Sequence, residues 1–283
     1  MITGAGMVGG ALARASLNNG WEPLLLAREQ LDVTDHAAVF DMVLQVKPEV
    51  IMHTASLTRV NYCQDHPEEA GAVNVEGTRN TLQAAERVGA QFIYFSTDYV
   101  FNGDTRQVLF ESDTPKPINV YGATKLAGEA LVRRYPKGHV IRTSGVFGKR
   151  GDGRDERNFF RAVHTQFLRS SRDIQVVADQ FTAVTYAPHL AQMVFALLAS
   201  KLPPVVHLSS QGRDSWFGWA KYAAECMGWD AGRFSPYSMA ELGDHIPRPA
   251  YTVLSSQYRE ARALISLAPA RMAIKEYMSA LAG

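Results

Sequence analysis

The strongest constraint on this chain is an alternation running through its first 150 residues. Short continuous apolar runs at 23–26, 50–52, 92–96 and 139–143 are separated by longer stretches, 39–46, 73–88 and 121–135, whose apolar residues recur every three or four positions. An apolar run without polar alternation suits a strand buried on both faces, and the intervening stretches suit amphipathic helices that cover it. Strand–helix–strand crossovers of this kind are right-handed. The expected fold class is therefore α/β, a doubly wound parallel sheet of Rossmann type, with its ligand crevice at the carboxyl ends of the strands.

The pattern changes after Phe147. Residues 149–157 are charged and Gly-containing and read as a loop. A helix over 158–169, a strand over 174–177, a helix over 188–200, a strand over 205–208 and helices over 215–227 and 268–281 follow. The expected organisation is a dinucleotide-binding domain over 1–148, to which 186–209 returns. A smaller interwoven substrate-binding lobe takes 149–185 and 210–283. The cluster Trp216, Phe217 and Trp219 reads as packing of that lobe.

Bulk properties narrow the partners. The 29 basic residues nearly cancel the 28 acidic ones, which gives no global attraction to nucleic acid or to an anionic membrane. No apolar stretch approaches the ~20 residues that cross a bilayer, and no secretory leader is visible. The two cysteines, Cys63 and Cys226, form no CxxC pair or disulfide framework, so a reducing cytoplasm is the expected compartment. The eight histidines show no ligand spacing such as HxxxH, and no metal is expected; His53, His139 and His207 lie on strands and read as structural.

Gly4-Ala5-Gly6-Met7-Val8-Gly9 is a GxGxxG between an apolar stub and a helix-like run, residues 11–17. In such a turn the first Gly allows the tight bend, the second lets backbone approach a pyrophosphate, and the third lets helix and strand pack closely. The backbone of Met7 and Val8 opens the helix, whose N–H groups favour phosphate. Only residues 1–3 remain for the first strand, where about five are usual. Either the strand is short or the chain starts late, and both stay open. The second strand ends in Ala27-Arg28, with no carboxylate for a ribose 2′-hydroxyl. Arg28 would meet a 2′-phosphate, which favours NADPH; a solvated Arg28 is an equal reading, so NADH stays open.

Tyr121-Gly-Ala-Thr-Lys125 places a phenol and an ammonium four residues apart, on one face of a helix. A phenol ionises near ~10 in water, so an enzyme that moves its proton at neutral pH needs a nearby cation to hold the phenolate. Spacing alone does not separate this from a surface pair. The neighbours do: the strand over 92–96 ends in Thr97-Asp98-Tyr99, so the Thr97 hydroxyl sits at a crevice edge. Tyr121 as proton donor and Thr97 as polarising partner would then converge on one carbonyl oxygen.

These motifs resemble the extended short-chain dehydrogenases/reductases, and among them the dTDP-4-dehydrorhamnose reductase family. The likeness rests most specifically on residues 96–103 (Ser-Thr-Asp-Tyr-Val-Phe-Asn-Gly) and 119–129 (Asn-Val-Tyr-Gly-Ala-Thr-Lys-Leu-Ala-Gly-Glu). The segment 31–35 resembles the adenine-side loop, and 53–58 the loop beneath the cofactor. Asn74 and its neighbours resemble the next helix start, and Arg142-Thr143-Ser144 the strand entering the substrate site. Asn158-Phe159, Asp179-Gln180-Phe181, Thr185-Tyr186 and Arg248-Pro249 are similar to later family segments. The resemblance implies an NAD(P)H-dependent reductase of a 4-keto sugar nucleotide. Tyr121, Lys125 and Thr97 are implied as catalytic. Asp32, Val33, Ala55, Ser56, Leu57 and Thr58 join Gly4, Gly6, Met7, Val8, Gly9, Arg28, Tyr121 and Lys125 around the cofactor. Thr97, Asp98, Tyr99, Gln180 and Arg248 face the substrate. A homodimer is a partner the wider superfamily suggests.

Three departures stand out. The glycine turn is one residue shorter than the family's usual GxxGxxG. Gly145 stands where these reductases usually carry a Trp that contacts the sugar nucleotide. The loop over 149–157 is long and charged; 149–172 holds Lys149, Arg150, Arg154, Arg157, Arg161, Arg169 and Arg172 against Asp152, Asp155 and Glu156. A sugar-nucleotide diphosphate would suit such a patch, and a solvated face is the alternative for each residue. Two further readings therefore stay beside the first. One is a reductase of another small carbonyl substrate. The other is a non-catalytic dinucleotide-binding regulatory subunit, similar to the methionine adenosyltransferase β subunit.

Overall fold

In the computed structural model, which describes residues 1–151, 158–170, 172–241, 243 and 246–282, the first half forms the parallel sheet that the alternation predicts. Its strands are β1 (Ile2–Thr3), β2 (Leu25–Leu26), β3 (Val50–His53), β4 (Gln91–Thr97), β5 (Gly138–Thr143) and the later strand Val205–His207. They lie in the order Val205–His207, β5, β4, β3, β1, β2, and every pairing is parallel. The chain steps from β1 out to β2, then back past β1 to β3. The order thus reverses between β1 and β3, and the crevice of an open sheet forms at that switch.

Helices cover both faces. They are α1 (Met7–Asn18), α2 (His36–Val46), α3 (Val60–Asp65), α4 (Pro67–Gly71), α5 (Gly77–Val88) and α6 (Val120–Val132). Successive residues of β4 point to opposite faces, as a strand requires. Ile93 and Phe95 pack with Leu12 of α1 and with Leu190 and Val194 of the helix Ala187–Leu198. Phe92 and Tyr94 pack with Val39, Val43 and Leu82 of α2 and α5. Phe92 is fully buried, so Phe92→Ala would cost about 3–5 kcal/mol through the cavity it leaves.

β1 has only two residues, yet both pair on each side, Ile2 with Leu25 and Met52, Thr3 with Leu26 and His53. Several elements do not show in the periodicity. α3 and α4 have six and five residues, too short to display a helical period. The expected helix over 73–88 begins instead with a widened turn at Ala72–Glu76 that continues α4 into α5. The helix Arg259–Ser266 precedes the predicted C-terminal one, which spans Ala270–Ala282.

The second half carries small sheets. Phe181–Thr182 lies between Asp214–Ser215 and Tyr251–Thr252, Ile174–Val177 pairs with Phe234–Tyr237, and Val146–Phe147 pairs with Thr185–Tyr186. Phe147, Phe160, Trp219 and Tyr277 fill their core, and the Trp219 indole N–H donates to the Thr182 carbonyl at 3.1 Å. No helix among the described residues is long and apolar enough to cross a membrane. Among them, too, no group of three or more His, Cys, Asp or Glu residues is placed to hold a metal ion. Of the charged patch, Asp152, Arg154, Asp155, Glu156 and Arg157 lie outside the described residues.

Candidate active site

The three glycines of the turn Gly4–Gly9 stand in different surroundings. Gly4 has φ +91°, and a Cβ there would come within 2.8 Å of the Ala55 nitrogen across the switch point. A Cβ on Gly9 would lie 1.9 Å from the Gly4 carbonyl oxygen, so any side chain would push α1 off the turn. A Cβ on Gly6 would meet nothing within 4 Å. The space beside Gly6 is open, and α1 starts there with no side chain among the described residues capping its N–H groups, an arrangement that suits an anion.

A cavity of about 550 Å³ runs from this space along the strand ends. At one end it is lined by Arg28, Asp32 and Val33, in the middle by the turn Gly4–Gly9 and the loop Ala55–Thr58, and at the other by Thr97, Tyr121 and Lys125. Arg28 is exposed and pairs with Asp32 at 3.3 Å. The Asp32 carboxylate accepts from the backbone N–H of Thr34 at 3.0 Å and from its hydroxyl at 2.7 Å. These bonds, and then the charge of Arg28, hold Asp32 below the usual carboxylate range.

The loop Ala55–Thr58 is fastened by Asn74, which is fully buried. Its amide oxygen accepts from the Leu57 N–H at 2.8 Å and the Ser56 hydroxyl at 2.9 Å. Its amide nitrogen donates to the Leu57 carbonyl at 3.0 Å and to the Thr124 hydroxyl at 3.1 Å. The widened turn at Ala72–Glu76 carries Asn74 to this position. Wide turns of this type often mark functional positions.

α6 is set against β4 by an absent side chain. Gly122 lies so close to the turn after β4 that a Cβ would come within 2.1 Å of the Tyr99 carbonyl oxygen. Asn119 caps the helix, accepting from the Gly122 N–H at 2.9 Å. One turn later Lys125 is 2% exposed, with its Nζ 4.0 Å from the centre of the Tyr94 ring. Burial pushes the Lys125 ammonium down to about 7, opposed by the charge of Glu129. His53 lies beneath, bonded to the hydroxyls of Thr3 and Thr78. Burial, with the charge of Lys125, drives it down to about 3, so it is neutral.

Tyr121 is half-buried and lines the far end of the cavity. Burial pushes its phenol well above the ordinary value, and a hydrogen bond with Thr97 partly offsets this. Thr97 donates to Asp98 at 3.0 Å and accepts from the Tyr99 N–H at 3.2 Å. Beneath α6, Glu129 and Arg142 form a buried ion pair at 2.7 Å, and the Ser96 hydroxyl donates to Glu129 at 2.6 Å. This clamp ties α6 to β4 and β5.

The residues expected at the substrate are placed unequally. Thr97 lines the cavity; Asp98, Tyr99, Gln180 and Arg248 do not. Asp98 is 3% exposed and accepts from the hydroxyls of Thr252 at 2.5 Å and Thr182 at 3.4 Å, which tie the end of β4 to the small sheet of Phe181–Thr182 and Tyr251–Thr252. Burial raises its carboxyl to about 6. The Tyr99 ring stands edge-on to Tyr121, 5.7 Å between centres, and its hydroxyl accepts from Gln180 at 3.3 Å. Burial and the charge of Asp98 push the Tyr99 phenol up to about 12, against the charge of Arg248. Arg248 also donates to Asn61 and to the Ile246 carbonyl.

The sequence places Thr143, Ser144, Gly145 and Arg150 on the substrate side and gives Asn74 no contact of its own. Apart from Asn74, all of these line the cavity. The buried hydroxyls of Thr143 and Ser144 have no hydrogen-bond partner among the described residues. Gly145 has φ +51°, and a Cβ there would come within 2.8 Å of the Ala183 carbonyl oxygen. An aromatic side chain at 145 would therefore require a different backbone.

The sequence pattern of the RmlD substrate binding domain family matches residues 1–282. A dTDP-4-dehydrorhamnose reductase of Mycolicibacterium smegmatis is 36% identical, over all of this chain and 86% of its own. The chain belongs to the dTDP-4-dehydrorhamnose reductase family. Among solved structures, a reductase of that name from Bacillus anthracis, in complex with NADP, matches with a TM-score of 0.90 at 31% identity. That match covers 99% of this chain and 98% of the other. A third, from Clostridium acetobutylicum, matches with a TM-score of 0.92 at 29% identity, covering 100% and 99%. The likeness holds end to end.

Proposed function

We propose that this protein reduces the keto group of a 4-keto-6-deoxy sugar nucleotide with NADPH, and that Tyr121 delivers the proton. The observation that carries this reading is the convergence of Tyr121, Lys125 and Thr97 at one end of a cavity whose other end is a dinucleotide cradle. The turn Gly4–Gly9 would hold the pyrophosphate, Arg28 the 2′-phosphate and Lys125 the nicotinamide-side ribose. NADPH, when bound there, supplies the hydride for the carbonyl carbon.

The protein's own part is the proton and the oxygen. Burial keeps Tyr121 protonated at neutral pH, the state a proton donor to a developing alkoxide needs. As its phenol gives up the proton, the anionic charge raises the proton affinity of neighbouring Lys125. The ammonium then holds the phenolate. Thr97, whose single hydroxyl proton rests on Asp98 in the free site, would turn that proton to the same carbonyl oxygen and steer it by a hydrogen bond. Tyr99 and Gln180 would border the sugar, and the Arg248 guanidinium, close to Tyr99, would meet the diphosphate. Asp98 serves by holding Thr97 in place. The free thiols of Cys63 and Cys226 suit a cytoplasmic enzyme, and a homodimer accords with the wider superfamily.

Loss of NADPH absorbance against a panel of keto sugar nucleotides, with Tyr121→Phe as control, tests this reading. Turnover of the dTDP-4-keto-6-deoxy sugar that disappears in the control supports it. Tight NADPH binding with no turnover of any member would redirect it to another carbonyl substrate, with Gly145 as the reason.

A further inference from the structure

The segment after β5 does not stay with the smaller lobe. The Gly151 N–H donates to the Ala5 carbonyl at 3.2 Å, inside the glycine turn. A Cβ on Gly10 would lie 2.2 Å from the Gly151 Cα. In the other direction, a Cβ on Gly151 would lie 2.9 Å from the Gly10 Cα and 3.3 Å from the Ala5 oxygen. Two glycines thus face each other in a backbone contact with no room for a side chain on either. Gly10 follows the GxGxxG without being part of it, and this contact explains its presence.

The contact places Arg150, half-buried, on the wall of the cofactor cavity. Electrostatics says what it does there. A pyrophosphate brings two negative charges, and a 2′-phosphate brings about −1.5 to −2 more near neutral pH. The described cavity walls carry the cations Arg28, Lys125 and Arg150 and the anions Glu29 and Asp32. Arg28 follows β2, and Lys125 lies on α6 at the Tyr121 end. Arg150 is the one of these three that stands beside the glycine turn, one residue from the Gly151 anchor on Ala5.

We infer that Arg150 binds the pyrophosphate of the dinucleotide and that the Gly10–Gly151 contact positions it. The charged loop after β5 thus serves the cofactor at its start, not the sugar-nucleotide diphosphate. This assignment rests on the reductase reading above. It predicts equal importance for NADPH and NADH, because the pyrophosphate is common to both, whereas Arg28 should distinguish them.

The test is fluorescence titration of the whole protein with NADPH and with NADH. Arg150→Ala should weaken both by about tenfold or more, the scale of a lost charge-assisted hydrogen bond, and Arg150→Lys should recover part of the loss. Gly10→Ala should reproduce the loss, and the double variant Gly10→Ala/Arg150→Ala should lose no more than either alone. Unchanged affinities in Arg150→Ala, with tight wild-type binding, would overturn the inference and leave the reductase reading standing. A loss confined to NADPH would move Arg150 to the 2′-phosphate and overturn the pyrophosphate assignment. Wild-type protein that binds neither dinucleotide would overturn both. Should Gly10→Ala fail to fold, the two Arg150 variants still decide.

Discussion

The cofactor half and the substrate side of this site are built by different means. Around the cofactor, each group stands within a few residues of a strand end. Gly4 follows β1, Arg28 follows β2, the loop Ala55–Thr58 follows β3, and Thr97 ends β4. Toward the substrate, contacts join segments far apart in sequence. Tyr99 meets Gln180 across 81 positions, Asp98 meets Thr252 across 154, and Arg248 meets Asn61 across 187. The first construction leaves local marks because backbone sterics and helix spacing dictate residue types. The second leaves almost none, because its partners are chosen by packing.

Four perturbations would sharpen or break that contrast. Tyr121→Phe should lower kcat by about 10²–10⁴ with NADPH affinity unchanged; retained turnover would remove the cofactor half's claim to the chemistry. Next is pH. Lys125 sits near 7, below its ordinary 10.5, so it is charged below pH 7 and loses charge above it. NADPH affinity should be flat at lower pH and decline above about 7, by at most tenfold per unit. A Lys125→Met variant should be weak and flat, and an unchanged decline in it would assign the titration elsewhere. Arg28→Ala should weaken NADPH about tenfold and NADH little; equal effects on both would show that Arg28 does not read the 2′-phosphate. Gln180→Ala should raise KM for the sugar nucleotide a few-fold through loss of a single neutral hydrogen bond, with NADPH affinity unaltered. A larger effect on NADPH than on the sugar would show that the two halves are mechanically one.

Some disagreements between expectation and structure come from length. α3 and α4 are shorter than two turns and carry no period to detect. Others come from reach. The charge of the loop beginning at Lys149 suggested a substrate diphosphate, yet Gly151 is seated on the cofactor turn. Composition shows that a segment is basic; it does not show which phosphate it faces. Gly10 lies against Gly151, a contact between segments about 140 positions apart that no local pattern marks.

The sequence by itself determined the parallel sheet, because uninterrupted apolar runs need two covered faces. It also determined the cradle, because Gly4 at positive φ and Gly9 against the Gly4 carbonyl tolerate no side chain, and the Tyr121–Lys125 pair, because one helical turn brings them together. Only the tertiary structure decided that Asn74 fastens the loop Ala55–Thr58, that Asp98 is held by threonines of a distant small sheet, and that Arg150 stands beside the glycine turn. The physical reason is range. Sterics and helix geometry act within a few residues and write themselves into residue types. The packing of distant segments acts through surfaces that meet only once the chain has folded.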